Sequence, residues 1–116
     1  AGEKITLFGT GEQTRSNTYV DDCVAATISA LTRSSPGEIY NISGHEERSI
    51  SEALGIIEAE VGRPLLIERQ PAARGDQIRT AGDSSKAQEN LGFTHTVTLE
   101  SGLARQVEWQ RSLGDR

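Results

Sequence analysis

Short apolar runs alternate along this chain with helices whose ends carry capping residues, and this alternation restricts its fold more than any other feature. The clearest helix follows Ser49. Ser49 and Glu52 form a capping-box pattern, in which each side chain satisfies a backbone N–H at the start of the helix. Gly62 and Pro64 are typical of the residues just past a last turn. The pattern predicts a helix that begins after Ser49 and ends before Gly62.

Three further helices and three strands complete the pattern. The first of these helices has Val20, Val24, Ile28 and Leu31 on one face, which is typical of an amphipathic helix. The helices are predicted at about 22–31, at 84–91 and at 99 to about 113, with N-caps Asp21, Asp83 and Thr98, and the strands at 4–8, 38–42 and 65–69. The order βαβαβ followed by two helices predicts an α/β fold with about three strands and four helices.

Three strands are few for such a fold. Residues 38–42 and 65–67 resemble parallel strands, which normally lie inside a larger sheet with both faces covered. Only 34% of the 116 residues are hydrophobic, so the chain has little apolar surface for a core of its own. We therefore expect residues 1–116 to be a single domain of a larger protein, with an apolar surface and a sheet edge left exposed.

Charge and cysteine content exclude several classes of protein. A formal net charge of -5 argues against a nucleic-acid partner, because the chain would repel a polyanion. The single cysteine, Cys23, cannot form an internal disulfide, which is typical of a reducing compartment. No apolar run approaches the length of a membrane span, and the first residues do not resemble a signal peptide. We expect a cytoplasmic protein with no membrane partner.

Two polar loops carry arginines that could bind an anion. Arg15 follows the glycine-hinged loop that starts at Gly9, and Arg74-Gly-Asp76 forms a second such element. A guanidinium presents a planar fork of donors that suits phosphate oxygens. In an acidic chain, this pair of loops predicts one small anionic ligand. The alternative is that these are solvated charges, with Arg15 paired to Asp21 or Glu12 and Arg74 paired to Asp76.

The sequence contains no recognisable set of residues with which this chain could catalyse a reaction by itself. Gly9 and Gly11 follow the first strand, but Thr14 replaces the third glycine of a dinucleotide fingerprint, so a simple turn is the better interpretation. His45 and His95 are far apart in the sequence, and neither has a partner at metal-ligand spacing. We therefore predict no metal site and no catalytic residue in this chain.

Five segments in a fixed order resemble a known family. They cover residues 9–15, 19–26, 40–44, 74–76 and 83–92. Together they resemble the C-terminal third of the nucleotide-sugar epimerases and dehydratases, the extended short-chain dehydrogenase/reductase family. The resemblance extends from Ile5 to about Trp109. It implies a small C-terminal domain that grips a nucleoside diphosphate and normally packs against a Rossmann domain that holds NAD.

The resemblance also implies roles for individual residues. Arg15 and Arg74 would contact the diphosphate from two sides, and Asp76 would accept a hydrogen bond from a ribose hydroxyl. Asn41 would lie near the phosphates. The substrate would be a UDP- or dTDP-linked sugar, and a homodimer is compatible with the resemblance. Asp22, which opens the first helix, is expected to cap it rather than to act as a catalyst.

Two features of the family are absent from this chain. The glycine-rich NAD fingerprint has no counterpart, and neither Lys4 nor Lys86 lies four residues after Tyr19 or Tyr40, as the catalytic Tyr-x-x-x-Lys pair requires. We therefore expect the parent protein to be an NAD-dependent epimerase, or else a 4,6-dehydratase or decarboxylase. This chain would bind no NAD by itself and would be inactive alone. The alternative is a stand-alone module that binds a nucleotide or a protein without catalysis.

Overall fold

A computed structural model describes residues 2–114, whose regular structure consists of four helices and five short strands. The helices are α1 (Val20–Arg33), α2 (Ile50–Val61), α3 (Ser85–Leu91) and α4 (Leu99–Ser112). The strands are β1 (Ile5–Phe8), β2 (Thr14–Arg15), β3 (Arg48–Ser49), β4 (Ile67–Gln70) and β5 (Arg79–Thr80). The predicted α/β class and the four helices are confirmed.

The strands form two small sheets. In the first, β1 and β4 are parallel, with Ile5 opposite Ile67. These are the first and third of the predicted strands. In the second sheet β2 lies between β3 and β5, antiparallel to β3 and parallel to β5. Thr14 is thereby opposite both Ser49 and Arg79. This central position of β2 decides where the next side chain, that of Arg15, is placed.

Helices α2 and α4 begin where their capping residues predicted. The Ser49 hydroxyl accepts from the Glu52 N–H at 3.1 Å, and the Glu52 carboxylate accepts from the Ser49 N–H at 2.8 Å. Gly62 ends α2 in the left-handed conformation, with φ 76°. The Thr98 hydroxyl accepts from the Ser101 N–H at 3.2 Å and caps α4. Both helices pack against each other, so their caps and their contacts support the same arrangement.

Helix α3 begins one residue later than predicted. Ser84 is its N-cap residue, but the Ser84 side chain makes no capping bond. The Asp83 carboxylate, one position earlier, makes the capping bonds instead. It accepts from the Ser85 N–H at 2.9 Å and from the Ser85 hydroxyl at 2.6 Å. The carboxylate thus satisfies the first turn although it stands outside the assigned cap position.

Helix α1 begins earlier than its sequence predicted, at Val20. Tyr19 is the N-cap residue, and its side chain makes no capping bond. The prediction that Asp21 is the N-cap is therefore wrong. Asp21 lies in the first turn instead, where a negative charge is favourable next to the positive end of the helix dipole. Its carboxylate is 3.4 Å from the guanidinium of Arg105 on α4.

The buried core is small and joins α1 to α3. Its members are Ala26, Ala87, Leu91 and Phe93, with Ala30, Tyr40 and Ile42 packed against them. Helix α1 therefore turns an alanine face towards α3, and the small side chains let the two helices approach closely.

The large apolar side chains of α1 lie on the opposite face and are exposed. We call them the α1 stripe: Val20 (60% exposed), Val24 (50%), Ile28 (58%) and Leu31 (87%). Nothing in residues 2–114 covers this stripe. An apolar surface of this kind on a 14-residue helix is typical of an interaction site.

The prediction of a strand at 38–42 is wrong. Among residues 2–114, this segment belongs to no helix or strand. A strand needs a hydrogen-bonded neighbour, and the described residues supply none for it. Ile39 is 78% exposed, whereas Tyr40 and Ile42 pack on the core. The segment is fixed at its end by Ser43, whose N–H donates to the Ser84 hydroxyl at 2.9 Å.

Candidate functional site

Strand β2 places Arg15 at the centre of the candidate site. The strand is held to β5 by the Thr14 N–H, which donates to the Ile78 carbonyl at 2.9 Å, and by the Ser16 N–H, which donates to the Thr80 carbonyl at 3.2 Å. The Arg15 side chain is 24% exposed, and its Nη1 donates to its neighbour's carbonyl, that of Thr14, at 2.8 Å. One side of the guanidinium is thus fixed by the backbone.

The other side of the guanidinium meets Asp76. Nη2 of Arg15 donates to Oδ1 of Asp76 at 2.8 Å, although the two residues are 61 positions apart in the sequence. Asp76, and neither Asp21 nor Glu12, is therefore the carboxylate partner of Arg15. The structure brings together two residues that the sequence predicted for one site. Because an arginine carries five N–H donors, donors remain for a ligand beside this pair.

Arg74 lies on the same turn as Asp76, which is closed by the Asp76 N–H donating to the Ala73 carbonyl at 3.1 Å. Its side chain is exposed. Between residues 2 and 114, no hydrogen bond or ion pair holds the Arg74 guanidinium. The alternative that Arg74 pairs with Asp76 is not what the structure has, since Asp76 pairs with Arg15.

Asn41 is the fourth residue predicted for the site. It is exposed and lies in the segment 38–42. In the described part of the chain it makes no hydrogen bond with Arg15, Arg74 or Asp76. Its role near phosphates stays a prediction from the resemblance.

Two charged residues next to Thr14, the residue before Arg15, were not found by sequence reasoning. The Glu47 carboxylate accepts from the Thr14 hydroxyl at 2.9 Å and from Nη2 of Arg79 at 2.6 Å. The hydrogen bond from Arg79, and then that from Thr14, hold the pKa of Glu47 below its usual value. Strands of two residues have no periodicity from which this neighbourhood could be predicted. The only signal was the charged run of residues 45–48, which resembles a solvated loop.

Asp22 is buried, with 3% of its surface exposed, and its hydrogen-bond partners do not include the arginine pair. It accepts from the backbone N–H groups of Thr96 and Val97, each at 3.2 Å, and from the Thr96 hydroxyl. Burial alone would raise the pKa of Asp22, but these hydrogen bonds, with nearby His95, outweigh it and lower the pKa. The prediction that Asp22 caps its own helix is wrong: its carboxylate instead fixes the segment that enters α4.

Gly44 lets its own segment pack closely against the backbone of the loop after Arg15. Its N–H donates to the Ser16 carbonyl at 3.2 Å. A Cβ at position 44 would collide with the Asn17 carbonyl oxygen, so only glycine fits. The segment 38–44 is therefore tied directly to the loop that follows β2.

The two histidines, far apart in the sequence, are neighbours in the structure. The ring centroids of His45 and His95 are 5.4 Å apart, and Nε2 of His95 is 2.6 Å from the Ser43 carbonyl oxygen. Phe93 meets the His95 ring edge-on, with centroids 4.7 Å apart.

Within residues 2–114, no group of three His, Cys, Asp or Glu side chains is arranged to hold a metal ion. No helix in the same range is long and apolar enough to cross a membrane.

Most of the chain matches a known family. The sequence model of the family described as GDP-mannose 4,6 dehydratase matches residues 1–106. The chain belongs to this family. The resemblance to NAD-dependent nucleotide-sugar epimerases and dehydratases, the extended short-chain dehydrogenase/reductase family, is thereby confirmed.

Individual enzymes have sequences similar to that of this chain. A dTDP-glucose 4,6-dehydratase of Escherichia coli is 34% identical over 121 residues, covering 94% of this chain and 33% of the relative. A UDP-glucose 4-epimerase of Mycolicibacterium smegmatis is 35% identical over 112 residues, covering 97% of this chain and 36% of the relative. The chain thus spans about a third of the length of the relatives that it matches.

A solved structure of the same family has the same fold over this third. The UDP-glucuronic acid 4-epimerase of Bacillus cereus, in complex with UDP-glucuronic acid and NAD, matches with a TM-score of 0.89 and 33% identity. The match covers 97% of this chain and 36% of that one. Relatives of this chain therefore bind both NAD and a UDP-sugar.

Proposed function

We propose that this chain is the substrate-binding C-terminal part of an NAD-dependent nucleotide-sugar epimerase or dehydratase, and that it is inactive alone. The observation that carries the proposal is the contact between Arg15 and Asp76, with Arg74 on the same turn. Two arginines and one carboxylate at one place are the groups that a nucleoside diphosphate needs. A UDP- or dTDP-linked sugar is the substrate.

The two guanidinium groups bind the diphosphate from two sides. A diphosphate carries about two negative charges, which two arginine forks can match with charge-assisted hydrogen bonds. Asp76 accepts from a ribose hydroxyl while keeping Arg15 oriented, because a carboxylate can accept several hydrogen bonds. Asn41 contributes near the phosphates. These residues perform no bond chemistry; they hold the sugar where another part of the enzyme can act on it.

The partner is an N-terminal Rossmann half of the same protein, which supplies NAD and the Tyr-x-x-x-Lys pair. The α1 stripe and the unpaired segment 38–42 support this proposal, because they leave apolar side chains and backbone groups without a cover in residues 2–114. The Rossmann half covers the stripe, and one of its strands pairs with residues 38–42. A cytoplasmic location and a homodimer are compatible with this arrangement.

Calorimetric titration of the full-length enzyme with UDP tests the arginine site. Each of the substitutions Arg15→Ala and Arg74→Ala is expected to weaken UDP binding by about tenfold or more, as for hydrogen bonds to charged groups. Arg105→Ala is the matched control, because it removes the same charge from an exposed ion pair with Asp21. If either site variant binds UDP within about twofold of the unsubstituted enzyme, the two-arginine site is wrong.

A stand-alone module that binds nucleotides or proteins is the alternative, and the exposed α1 stripe would suit it too. Turnover separates the two. The enzyme proposal expects NAD-dependent conversion of a UDP- or dTDP-sugar by the full-length protein. UDP binding without any such turnover, and without bound NAD, would favour the module.

A further inference from the structure

Strand β2 is held on the side away from Arg15 by a second polar cluster. We call this cluster the Glu47 clamp; it consists of Thr14, Glu47 and Arg79. Oε1 of Glu47 accepts from the Thr14 hydroxyl at 2.9 Å and from Nε of Arg79 at 2.7 Å, and Oε2 accepts from Nη2 of Arg79 at 2.6 Å. The Glu47 side chain is 29% exposed. One carboxylate therefore joins β2 to β5.

The clamp makes no bond to the Arg15 guanidinium. Successive side chains of a strand point to opposite faces, so Thr14 faces the clamp while Arg15 faces Asp76. Thr14 and Arg79 are also direct neighbours in the register of β2 and β5. The clamp can thus fix the position of β2 without competing with a ligand for the Arg15 guanidinium.

The sheet needs such a side-chain link because its strands are very short. Each of β2, β3 and β5 has two residues, so few backbone hydrogen bonds hold β2 against β5. Asp76 lies three residues before β5, whereas Arg15 lies on β2. A shift between these two strands would therefore separate Arg15 from the turn that carries Arg74 and Asp76.

We infer that Glu47 is a positioning residue for the arginine site: by joining Thr14 to Arg79 it holds Arg15 and the turn 74–76 in the spacing that one diphosphate requires. The inference rests on the proposed function. It assigns to a carboxylate a favourable effect on the binding of an anion. Simple charge repulsion predicts the opposite sign, since removing a negative charge near a diphosphate should strengthen its binding.

The sign of this effect gives the first test, again by titration of the full-length enzyme with UDP. Glu47→Gln is expected to weaken binding by about fivefold or more, through the loss of the charged hydrogen bonds to Arg79. Glu46→Gln is the matched control: the adjacent carboxylate pairs with Arg48 at 3.0 Å and belongs to no bond of the clamp. Its loss is expected to leave binding unchanged or slightly tighter. If both variants bind UDP equally well or more tightly, Glu47 acts only as a charge and the inference is wrong.

A double-mutant cycle shows whether Glu47 acts through Arg15. Arg15→Lys keeps the charge but removes the planar fork. In the presence of Arg15→Lys, Glu47→Gln is expected to lose most of its own effect on UDP binding, because the fork that it positions is already gone. Additive effects would mean that Glu47 supports the fold in general, and would overturn the inference.

Thr14→Val provides a second variant that changes no charge. It removes the hydroxyl that donates to Glu47 and keeps the shape of the side chain, so it is expected to weaken UDP binding in the same direction as Glu47→Gln. Unchanged binding in Thr14→Val would contradict the clamp even if Glu47→Gln failed to fold. If Arg15→Ala itself leaves UDP binding intact, the proposed function has failed. If Arg15→Ala weakens binding but the clamp variants do not, the inference alone has failed.

Discussion

Helices α1 and α2 are both amphipathic by sequence, yet they use their apolar faces in opposite ways. Helix α2 begins with a complete capping box, ends at Gly62 and turns its apolar face, which includes Ile57, to α4. Helix α1 has no side-chain cap, buries Ala26 and leaves the α1 stripe in solvent. The difference shows that α2 has its packing partner within this chain, whereas the large apolar face of α1 has none between residues 2 and 114.

This difference has a physical reason. The capping of a helix depends on residues within its first and last turns, so a sequence window contains all of it. The choice of the buried face depends on what else packs nearby, and part of that can lie outside the chain. The apolar area of α1 is therefore left exposed among residues 2–114, whereas α2 is partly buried against α4 within the same chain.

The largest expected effect comes from the core beneath α1. Leu91→Ala is expected to cost about 2–5 kcal/mol of unfolding free energy, because Leu91 is 1% exposed and its loss leaves a cavity. Leu31→Ala is the control in the α1 stripe, 87% exposed, and should change the stability of this chain by less than about 0.5 kcal/mol. Urea denaturation measures both. Equal losses of unfolding free energy in the two variants would show that the α1 stripe is packed in solution, and the contrast between the core and the stripe would be wrong.

The comparison is sharpened in the full-length protein. There Ile28→Ala is expected to cost about 2–5 kcal/mol, since the proposed Rossmann half covers the stripe. In the chain of residues 1–116 alone the same change should cost little, because Ile28 is 58% exposed. Matched urea curves for the two lengths measure the difference. An equal, small cost in both would place the partner surface elsewhere.

Asp22 provides the next largest effect and depends on pH. Asp22→Asn is expected to cost about 1–3 kcal/mol at neutral pH, because one amide oxygen cannot replace both carboxylate oxygens that accept from Thr96 and Val97. The pKa of Asp22 is lowered in the folded state, so its contribution is present above the unfolded pKa of about 4 and is lost as pH falls through the lower folded value. The stability difference between protein and variant should therefore shrink in acid.

Asp21→Asn is the control for this prediction, since its side chain is 67% exposed and its ion pair with Arg105 is long. It should change stability by less than about 1 kcal/mol, as exposed ion pairs do. A difference between Asp22→Asn and the unsubstituted protein that stays constant from neutral pH into acid would contradict the assigned role of the Asp22 carboxylate.

The sequence predicted the parts of the fold that local rules decide. Ser49, Gly62 and Thr98 act as predicted because each works within one turn of its own helix. Asp21 and Asp22 were both predicted as caps because Asp is a common cap residue, yet the N-cap position belongs to Tyr19, and the Asp22 carboxylate accepts from the distant Thr96 instead. The segment 38–42 has the composition of a strand but lacks a neighbour, and pairing is a property of two segments rather than one.

For the candidate site, residue types were predictable but their arrangement was not. Arg15, Arg74 and Asp76 were identified by motif and resemblance, whereas the pairing of Arg15 with Asp76 depends on a sheet of two-residue strands. Such strands leave no periodic signal. Glu47 was missed for the same reason, since only the folded sheet brings it to Thr14 from 33 positions away.

The smallest effect concerns the cap of α2. Ser49→Ala is expected to cost about 0.5–2 kcal/mol, because it leaves the Glu52 N–H without its capping acceptor. Ser35→Ala, at an exposed turn before α2, is the matched control and should be nearly neutral. Thermal unfolding of both variants measures the difference.

Since Ser49 also pairs with Thr14 across β2 and β3, UDP affinity should stay unchanged if the backbone alone makes that pairing. A weakened affinity in Ser49→Ala would mean that the cap of α2 also helps to position Arg15. The stability of α2 and the binding of UDP at the arginine site would then be energetically coupled.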